Sequence, residues 1–395
     1  MSESVLRKVE VLLIVEADIA TTQLLEQILK SLQSHGLYYR KRLLAELQLA
    51  DFSGSELPLV VRSGDPLLAY WLKLWAAADI SFVYYLDDNF WRIEGDSELA
   101  KYYRLPIIRR TLEMAVAQAH QVITNSEVLA NFLRGWSNRV KVLPSPFSFE
   151  LIEGLKSYAG EELRIGFAGS PSRVKDLDIV APILTPLLQR YEKVVVEFVG
   201  VLPKGIHPGQ RIRFFPHCAS YEDYIRFQVE RGWAIGWAPL FDTEANRSKT
   251  NNKYREYAAC CIAGIYTDIP PYTGSVQPDV SGILVQNAPE AWLSATERLV
   301  RDEHLRKKIA NAAYDDVRKH HALQVVAGDW LLALQESRNN AIFMGRMVRS
   351  RRLAFVAWWL RICVQVSLSY QEGGVWLVAK RSILRISRAA LTSLR

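Results

Sequence analysis

The chain has 395 residues, of which 49% are hydrophobic, and it carries a formal net charge of +7. At roughly 100–200 residues per domain, this length predicts two domains and an extension, with enough apolar side chains for full cores. The charge is uneven, because residues 341–395 hold ten Lys or Arg and one acid, whereas 39 basic and 41 acidic side chains precede them. Since the basic excess belongs to the last segment alone, the composition argues against a nucleic-acid-binding protein.

In the first 149 residues, short apolar runs alternate with amphipathic segments, as in a βα repeat. The predicted strands are 9–15, 59–62, 81–86, 121–124 and 141–143. Residues 97–119 are charged and periodic, which predicts one long helix, and Ser126 predicts the cap of another. The prolines at 144 and 146 predict a domain boundary.

Residues 150–340 repeat the alternation more clearly. The predicted strands are 163–168, 194–200, 212–215, 233–238, 262–267 and 282–285. The predicted helices between them are 175–190, 221–230, 250–261 and 289–301. Two successive α/β halves predict two doubly wound, Rossmann-like domains, 1–149 and 150–340, that face each other across a cleft.

Residues 341–395 predict a basic amphipathic helical tail. Its apolar run at 353–368 carries Arg361 and is too short for a membrane span. Trp359 and Trp376 lie close to basic residues, which suits a helix in the interface of an anionic membrane. The alternative is a helix that packs against the first domain.

The four cysteines show neither a CxxC pair nor a metal-ligand spacing with histidine. No signal peptide is apparent around the first apolar run. We therefore expect a protein of a reducing, cytoplasmic compartment.

The segment that follows residue 245 carries the most informative pattern. Lys249, Lys253 and Glu256 stand at i, i+4 and i+7, on one side of a predicted helix. The next predicted strand ends at 267, and Asp268 and Tyr272 lie in the loop just beyond it. Ligands bind at such strand ends, and two lysines with a glutamate suit a phosphate and a hydroxylated sugar. The alternative for both lysines is a solvated helix face.

A second candidate follows the strand at 163–168. Gly169 and Ser170 form a turn, and a predicted helix starts near Lys175. A small residue at the strand end lets a phosphate approach the backbone, and Lys175 adds a point charge.

In the first half, Asp87 and Asp88 follow an apolar strand and should face the interdomain cleft. Either carboxylate could orient an acceptor hydroxyl or act as a base. The alternative is a helix cap or a turn-stabilising residue.

The second half resembles the nucleotide-sugar domain of retaining GT-B glycosyltransferases, most closely glycosyltransferase family four. The Gly169 turn with Lys175 six residues on is similar to the family's phosphate motif. Glu256 matches the second glutamate of the family's paired-glutamate motif, which implies a hydrogen bond to the nucleotide ribose. The resemblance covers about 163–335 well and the first half loosely.

Two positions depart from the family pattern. Ser170 stands where the family usually has an arginine that contacts the diphosphate, and Ser248 stands where its first glutamate contacts the donor sugar. The local pattern resembles a subgroup from bacterial polysaccharide pathways. There, Lys249 is expected to replace the lost charge, and Asn246 or Ser248 to bind the sugar.

The sequence thus predicts a GT-B-like enzyme of polysaccharide biosynthesis. It would move a hexosyl or deoxyhexosyl group from a nucleoside diphosphate sugar to a hydroxyl of a growing glycan, free or lipid-linked. The resemblance implies retention at the anomeric carbon. Lysines and helix amides can neutralise the leaving diphosphate, so no metal or other cofactor is expected.

In this prediction Lys175 and Lys249 stabilise the diphosphate, Lys253 and Glu256 bind the nucleotide, and the enzyme is peripheral at the inner face of the cell membrane. The main alternative is a non-catalytic GT-B-like protein that binds a glycan or a partner protein.

Overall fold

Two parallel β-sheets of six strands each form the framework of the protein. The computed structural model describes residues 8–52, 54–339, 359, 362–367, 369–370 and 373–381. Helices cover both faces of each sheet. The predicted architecture of two α/β domains is confirmed.

The first sheet has the strand order β2-β1-β3-β4-β5-β6. Its strands are β1 (Val9–Val15), β2 (Leu37–Leu43), β3 (Leu57–Val61), β4 (Val83–Tyr85), β5 (Gln121–Thr124) and β6 (Val140–Val142). Its helices are α1 (Ala20–Ser31), α2 (Pro66–Ala77), α3 (Glu98–Arg104), α4 (Pro106–Gln118) and α5 (Glu127–Leu133).

The second sheet has the strand order β12-β11-β10-β7-β8-β9. Its strands are β7 (Leu163–Ala168), β8 (Val194–Val199), β9 (Ile212–Phe215), β10 (Trp233–Ala238), β11 (Ala263–Thr267) and β12 (Ile283–Val285). Its helices are α6 (Leu184–Arg190), α7 (Tyr221–Arg231), α8 (Glu244–Arg247), α9 (Asn252–Ala259), α10 (Pro289–Arg301) and α11 (Glu303–His321).

The central strands are apolar on both faces because each sheet lies between two helical layers. In β1, Leu12 and Ile14 belong to one core cluster, and Val11 and Leu13 to the cluster on the opposite face. This explains why β1 could be located from a compact apolar run.

Three elements differ from the prediction. The edge strand β2 was missed, because its sequence is charged and half-exposed. The single helix predicted at 97–119 is two helices, since Pro106 has no amide hydrogen and restricts the residue before it. The helix predicted at 175–190 begins as 3-10 turns, Pro171–Ile179 and Ala181–Ile183, and becomes α-helical only in α6.

The last described long helix, α12 (Leu323–Asn339), returns to the first sheet. Its side chains Trp330 and Leu334 are buried in the same core cluster as β1 and α1. The two connections between the domains lie side by side, because Phe147 N–H donates to His321 O at 2.7 Å and Leu323 N–H donates to Phe147 O at 3.0 Å. Helix α12 therefore follows the second domain in the chain but packs against the first domain.

The tail predicted at 341–395 lies largely outside the described residues. The part that is described is helical. Val364 is buried in the core cluster of the first domain, as the alternative of a packed helix predicts. Trp359, Tyr370 and Trp376 are exposed. Among the residues that the structure describes, no helix is long and apolar enough to cross a membrane.

Candidate active site

Each sheet has one point where the chain changes its direction of winding. In the first sheet it lies between β1 and β3, and in the second between β7 and β10. Ligands of open α/β sheets bind outside the carboxyl ends of the strands at such points. The two domains meet there, because the loop after β4 contacts the segment around α8 through three side-chain pairs. These are Asn89–Ser248 at 3.2 Å, Arg92–Glu244 at 2.6 Å and Asp88–Lys249 at 4.0 Å.

Lys249 lies between α8 and α9 rather than on a continuous helix. Thr243 caps α8 by accepting a hydrogen bond from Asn246 N–H, and α9 begins only at Asn252. The break turns Lys249 away from Lys253, with which it was predicted to share a helix face. Its ammonium group instead reaches the cleft, 4.0 Å from Asp88 Oδ1.

On the first-domain side, Asp87 and Asp88 share the guanidinium group of Arg62. Arg62 Nη1 lies 3.0 Å from Asp87 Oδ1, and Nη2 lies 3.5 Å from Asp88 Oδ2. Thr21 Oγ–H donates to Asp87 Oδ2 at 2.6 Å. Burial raises the pKa of Asp87, even though Arg62 opposes this shift. Arg62 was not predicted, because it was assigned to the strand predicted at 59–62 and has no distinctive spacing.

Glu16, directly after β1, is an acidic residue at the same edge that sequence reasoning missed. Its Oε1 accepts hydrogen bonds from Ser63 Oγ–H at 2.5 Å and from Asp65 N–H at 2.9 Å. Glu16 is exposed at the surface, but the neighbouring protein atoms reduce the hydration of its carboxyl group, and this raises its pKa. These bonds tie the ends of β1 and β3 together at the first winding change.

On the second-domain side, Gly169 follows β7 where two backbone segments come close. Gly200 has a φ of +80°, and a Cβ atom there would lie 2.5 Å from Gly169 O. Ser170 is exposed, and its hydroxyl group is 2.8 Å from that of Ser172. The phosphate contact predicted for this turn stays a prediction.

The cations beyond this turn differ in their surroundings. Lys175 is exposed and makes no hydrogen bond or ion pair with the described residues. Arg173, which was not predicted, points into the crevice between β7 and β10. Its Nε lies 2.7 Å from Asp176 Oδ2, and its Nη2 donates to Pro239 O at 3.2 Å.

Charges of alternating sign run from one crevice to the other. Asp176 interacts electrostatically with both Arg173 and Lys249, and burial raises its pKa against these two cations. In order across the cleft, the row is Arg173, Asp176, Lys249, Asp88, Arg62 and Asp87. A phosphate bound to the cations would have to replace carboxylates as their partners.

Lys253 and Glu256 form a separate cluster on α9. Lys253 Nζ donates to Glu256 Oε2 at 2.8 Å and to Tyr224 OH at 2.7 Å, and Tyr224 O–H donates to the same carboxylate oxygen at 3.0 Å. Glu256 is 6% exposed. Burial and the nearby carboxylate raise the pKa of Tyr224 well above its usual value. Tyr224, on α7, was not predicted, because no spacing links it to α9.

The other predicted donor-site residues have partners within the protein. Asn246 Nδ2 donates to Phe241 O at 3.0 Å. Ser248 is buried, and its hydroxyl group donates to Glu244 O at 2.9 Å. Asp268 Oδ2 accepts from Gln286 Nε2 at 2.8 Å, and the Tyr272 ring packs 5.0 Å from that of Tyr266. Their predicted roles stay predictions.

A cavity of about 470 Å³ lies beside Lys249 between the domains. Its walls come from the loops after β5 and β6, from the loop after β11, and from the end of α11. His321 lines it, and its Nδ1–H donates to Ser145 O at 3.0 Å. Burial, with Arg255 nearby, lowers the pKa of His321 to about 4. Within the described part of the chain, no group of three or more His, Cys, Asp or Glu is arranged to hold a metal ion.

Neither a scan against protein-family models nor a sequence search of curated proteins finds a match. Solved structures do match. Sucrose-phosphate synthase from Thermosynechococcus elongatus has a TM-score of 0.63 at 12% identity, over 83% of this chain and 99% of that one. The fold is GT-B-like.

Two further structures agree. HepE from Anabaena, solved in complex with UDP, has a TM-score of 0.61 at 13% identity, over 83% of this chain and 100% of that one. A glycosyltransferase from Rickettsia africae has a TM-score of 0.62 at 13% identity, over 85% and 100%. These matches confirm the GT-B-like architecture predicted from the sequence.

Proposed function

We propose that the protein is a glycosyltransferase that moves a hexosyl or deoxyhexosyl group from a nucleoside diphosphate sugar to a hydroxyl of a growing glycan, free or lipid-linked. The observation that carries the proposal is the contact between Lys249 and Asp88 across the cleft. A cation of the second domain thus lies opposite a carboxylate of the first domain, which supports a donor side and an acceptor side.

The two sides suit the two halves of such a reaction. A diphosphate leaving group is stabilised by fixed cations, and an acceptor hydroxyl is oriented by a carboxylate. Glu256 is proposed to accept a hydrogen bond from a ribose hydroxyl group through its carboxylate. HepE, which has the same fold, was also solved in complex with UDP-glucose, and this supports a nucleoside diphosphate sugar as donor.

Retention at the anomeric carbon and independence of metal belong to the same proposal. Retention rests on the resemblance of 163–335 to family four. Metal independence rests on the cations available at the crevice, which can supply the charge that a divalent ion would supply.

We also propose that the tail holds the enzyme at the inner face of the cell membrane. Val364 anchors the described part on the first domain, while Trp359, Val375 and Trp376 are exposed. Lys380 Nζ lies 5.3 Å from the centre of the Trp376 ring. An exposed apolar surface beside basic residues is suited to anionic lipid.

A non-catalytic protein that binds a glycan or a partner is the second candidate. It is favoured by Ser248, which is buried and bonded to Asn89 at the position where the family places a sugar-binding glutamate. Purified protein should be incubated with a panel of nucleoside diphosphate sugars. Its melting temperature and the release of nucleoside diphosphate are then measured. Transfer or hydrolysis of any donor supports the enzyme. If no donor is turned over and none raises the melting temperature, the enzymatic proposal fails.

A further inference from the structure

Arg173 occupies the position where the second sheet should receive its ligand. Its stem passes close to the turn after β7, since a Cβ atom on Gly169 would lie 3.1 Å from Arg173 Cβ. Its Nη2 donates to Pro239 O, the carbonyl group that directly follows β10. The guanidinium group therefore bridges the loops on both sides of the winding change.

The charge of Arg173 is balanced by a carboxylate that serves two cations. Asp176 is 5% exposed, and its Oδ1 is already bonded to Phe241 N–H at 2.8 Å. Its other oxygen contacts Arg173, and Lys249 also interacts with it electrostatically. Two cations from different segments thus depend on one buried acid. Arg173 Nη1 has no hydrogen-bond partner among the described residues, so the guanidinium group retains donors for a ligand.

The spacing of two residues along the helical turn separates Arg173 from Lys175. A 3-10 helix has three residues per turn, so side chains three apart lie on one side and side chains two apart do not. Arg173 and Asp176 are three apart and form an ion pair of 2.7 Å. Lys175 is turned away from them and is exposed.

We propose that Arg173, together with Lys249, binds the diphosphate of the donor by exchanging its contact with Asp176 for phosphate oxygens. This inference rests on the proposed function, because it concerns the donor of the same reaction. Arginine presents a planar fork of donors that fits phosphate at two points, whereas Lys175 offers a flexible point charge in solvent. It departs from the sequence prediction, in which Lys175 had this role.

The test is calorimetric binding of UDP and GDP, each compared with its own nucleoside, to the full chain. The variants are Arg173→Gln, Arg173→Lys and Lys175→Gln, with Arg226→Gln as a matched control. Arg226 is an exposed arginine on α7, outside the crevice.

We expect Arg173→Gln to weaken binding of the diphosphate about 10- to 100-fold while the affinity for the nucleoside changes less than about twofold. Arg173→Lys should recover part of the loss, and Lys175→Gln and Arg226→Gln should match the wild type.

Three results would overturn the inference. Unchanged diphosphate affinity in Arg173→Gln would remove Arg173 from the site. An equal loss for the nucleoside would show that Arg173 only supports the loop. A loss in Lys175→Gln alone would restore the sequence prediction. If the wild type binds neither diphosphate nor any sugar donor, the proposed function itself fails, and this is seen before any variant is compared.

Discussion

The two edges of the cleft have the same architecture but opposite charge. Both are carboxyl ends of parallel strands at a change of winding. The first-domain edge presents Glu16, bonded to Ser63, and the pair Asp87 and Asp88 around Arg62. The second-domain edge presents Arg173 and Lys249 around Asp176. Carboxylates accept hydrogen bonds from hydroxyl groups, and cations bind phosphate. One fold, used twice, can therefore supply an acceptor side and a donor side.

The largest effect should come from the donor side. Glu256→Ala should weaken binding of UDP about 100-fold, since hydrogen bonds to a charged group contribute about 1.5–3 kcal/mol each and the ribose would lose its acceptor. Calorimetry measures this, with Glu222→Ala on exposed α7 as the control. Unchanged binding would remove Glu256 from the nucleotide site.

Variants of Asp88 and Lys249 distinguish the roles of the two edges most directly. Asp88→Asn should lower kcat about 10- to 100-fold with little change in donor affinity, because the carboxylate acts on the acceptor hydroxyl. Lys249→Gln should also weaken donor binding. Asp96→Asn, at an exposed position of the same domain, is the control. The division of roles is wrong if both variants change only the affinity for the donor.

The tail should affect location but not the donor site. The double variant Trp359→Ser and Trp376→Ser should reduce binding to vesicles with anionic lipid about tenfold, and leave UDP affinity unchanged. Co-sedimentation with anionic and zwitterionic vesicles measures this.

Deletion of all residues after Asn340 should likewise shift the protein to the soluble fraction. If this truncated chain is insoluble while the double variant still binds vesicles, the tail is a packed helix of the first domain and not a membrane anchor.

The smallest effect concerns His321, which lines the cavity between the two domains. His321 has a pKa of about 4, below its usual 6.5, so the folded protein binds fewer protons than the unfolded chain between these values. Because the unfolded chain takes up this proton first, the free energy of unfolding decreases as the pH falls through this window.

Replacing it by His321→Gln should remove about 1 kcal/mol of acid destabilisation at pH 5.5. Denaturant unfolding at pH 7.5 and 5.5 measures it, with the exposed neighbour His320→Gln as control. An equal pH dependence in both variants would show that His321 does not carry the effect.

The fold was largely predictable from local patterns. Strands such as Val9–Val15 and Leu163–Ala168 are apolar because both sheet faces are covered, and this information is contiguous in the sequence. The edge strand Leu37–Leu43 was not found, because it pairs only with β1 and is half-exposed. Its sequence therefore contains charged residues and no apolar run. Pro106 marks the division of the helix predicted at 97–119, but the prediction did not take it into account.

The candidate site was predictable by element but not by residue. Gly169, Lys249, Glu256 and the Asp87–Asp88 pair were proposed because each adjoins the end of a predicted strand or lies on a predicted helix, and their roles stay predictions. Arg62, Arg173, Tyr224 and Glu16 were not proposed, because their contacts are with residues far away in the chain. We infer that Arg173 takes the role predicted for Lys175, because its contacts with Asp176 and Pro239 depend on the folded structure.

The sequence by itself determined two α/β domains, a basic tail and the strand ends where ligands should bind, because each follows from apolar periodicity and composition over short windows. Only the tertiary structure decided which charges face each other. Asp88 and Lys249 are 161 positions apart in the sequence, yet the docking of two sheets brings them to 4.0 Å. Pairing across a cleft depends on the relative position of two domains, and no local pattern contains that information.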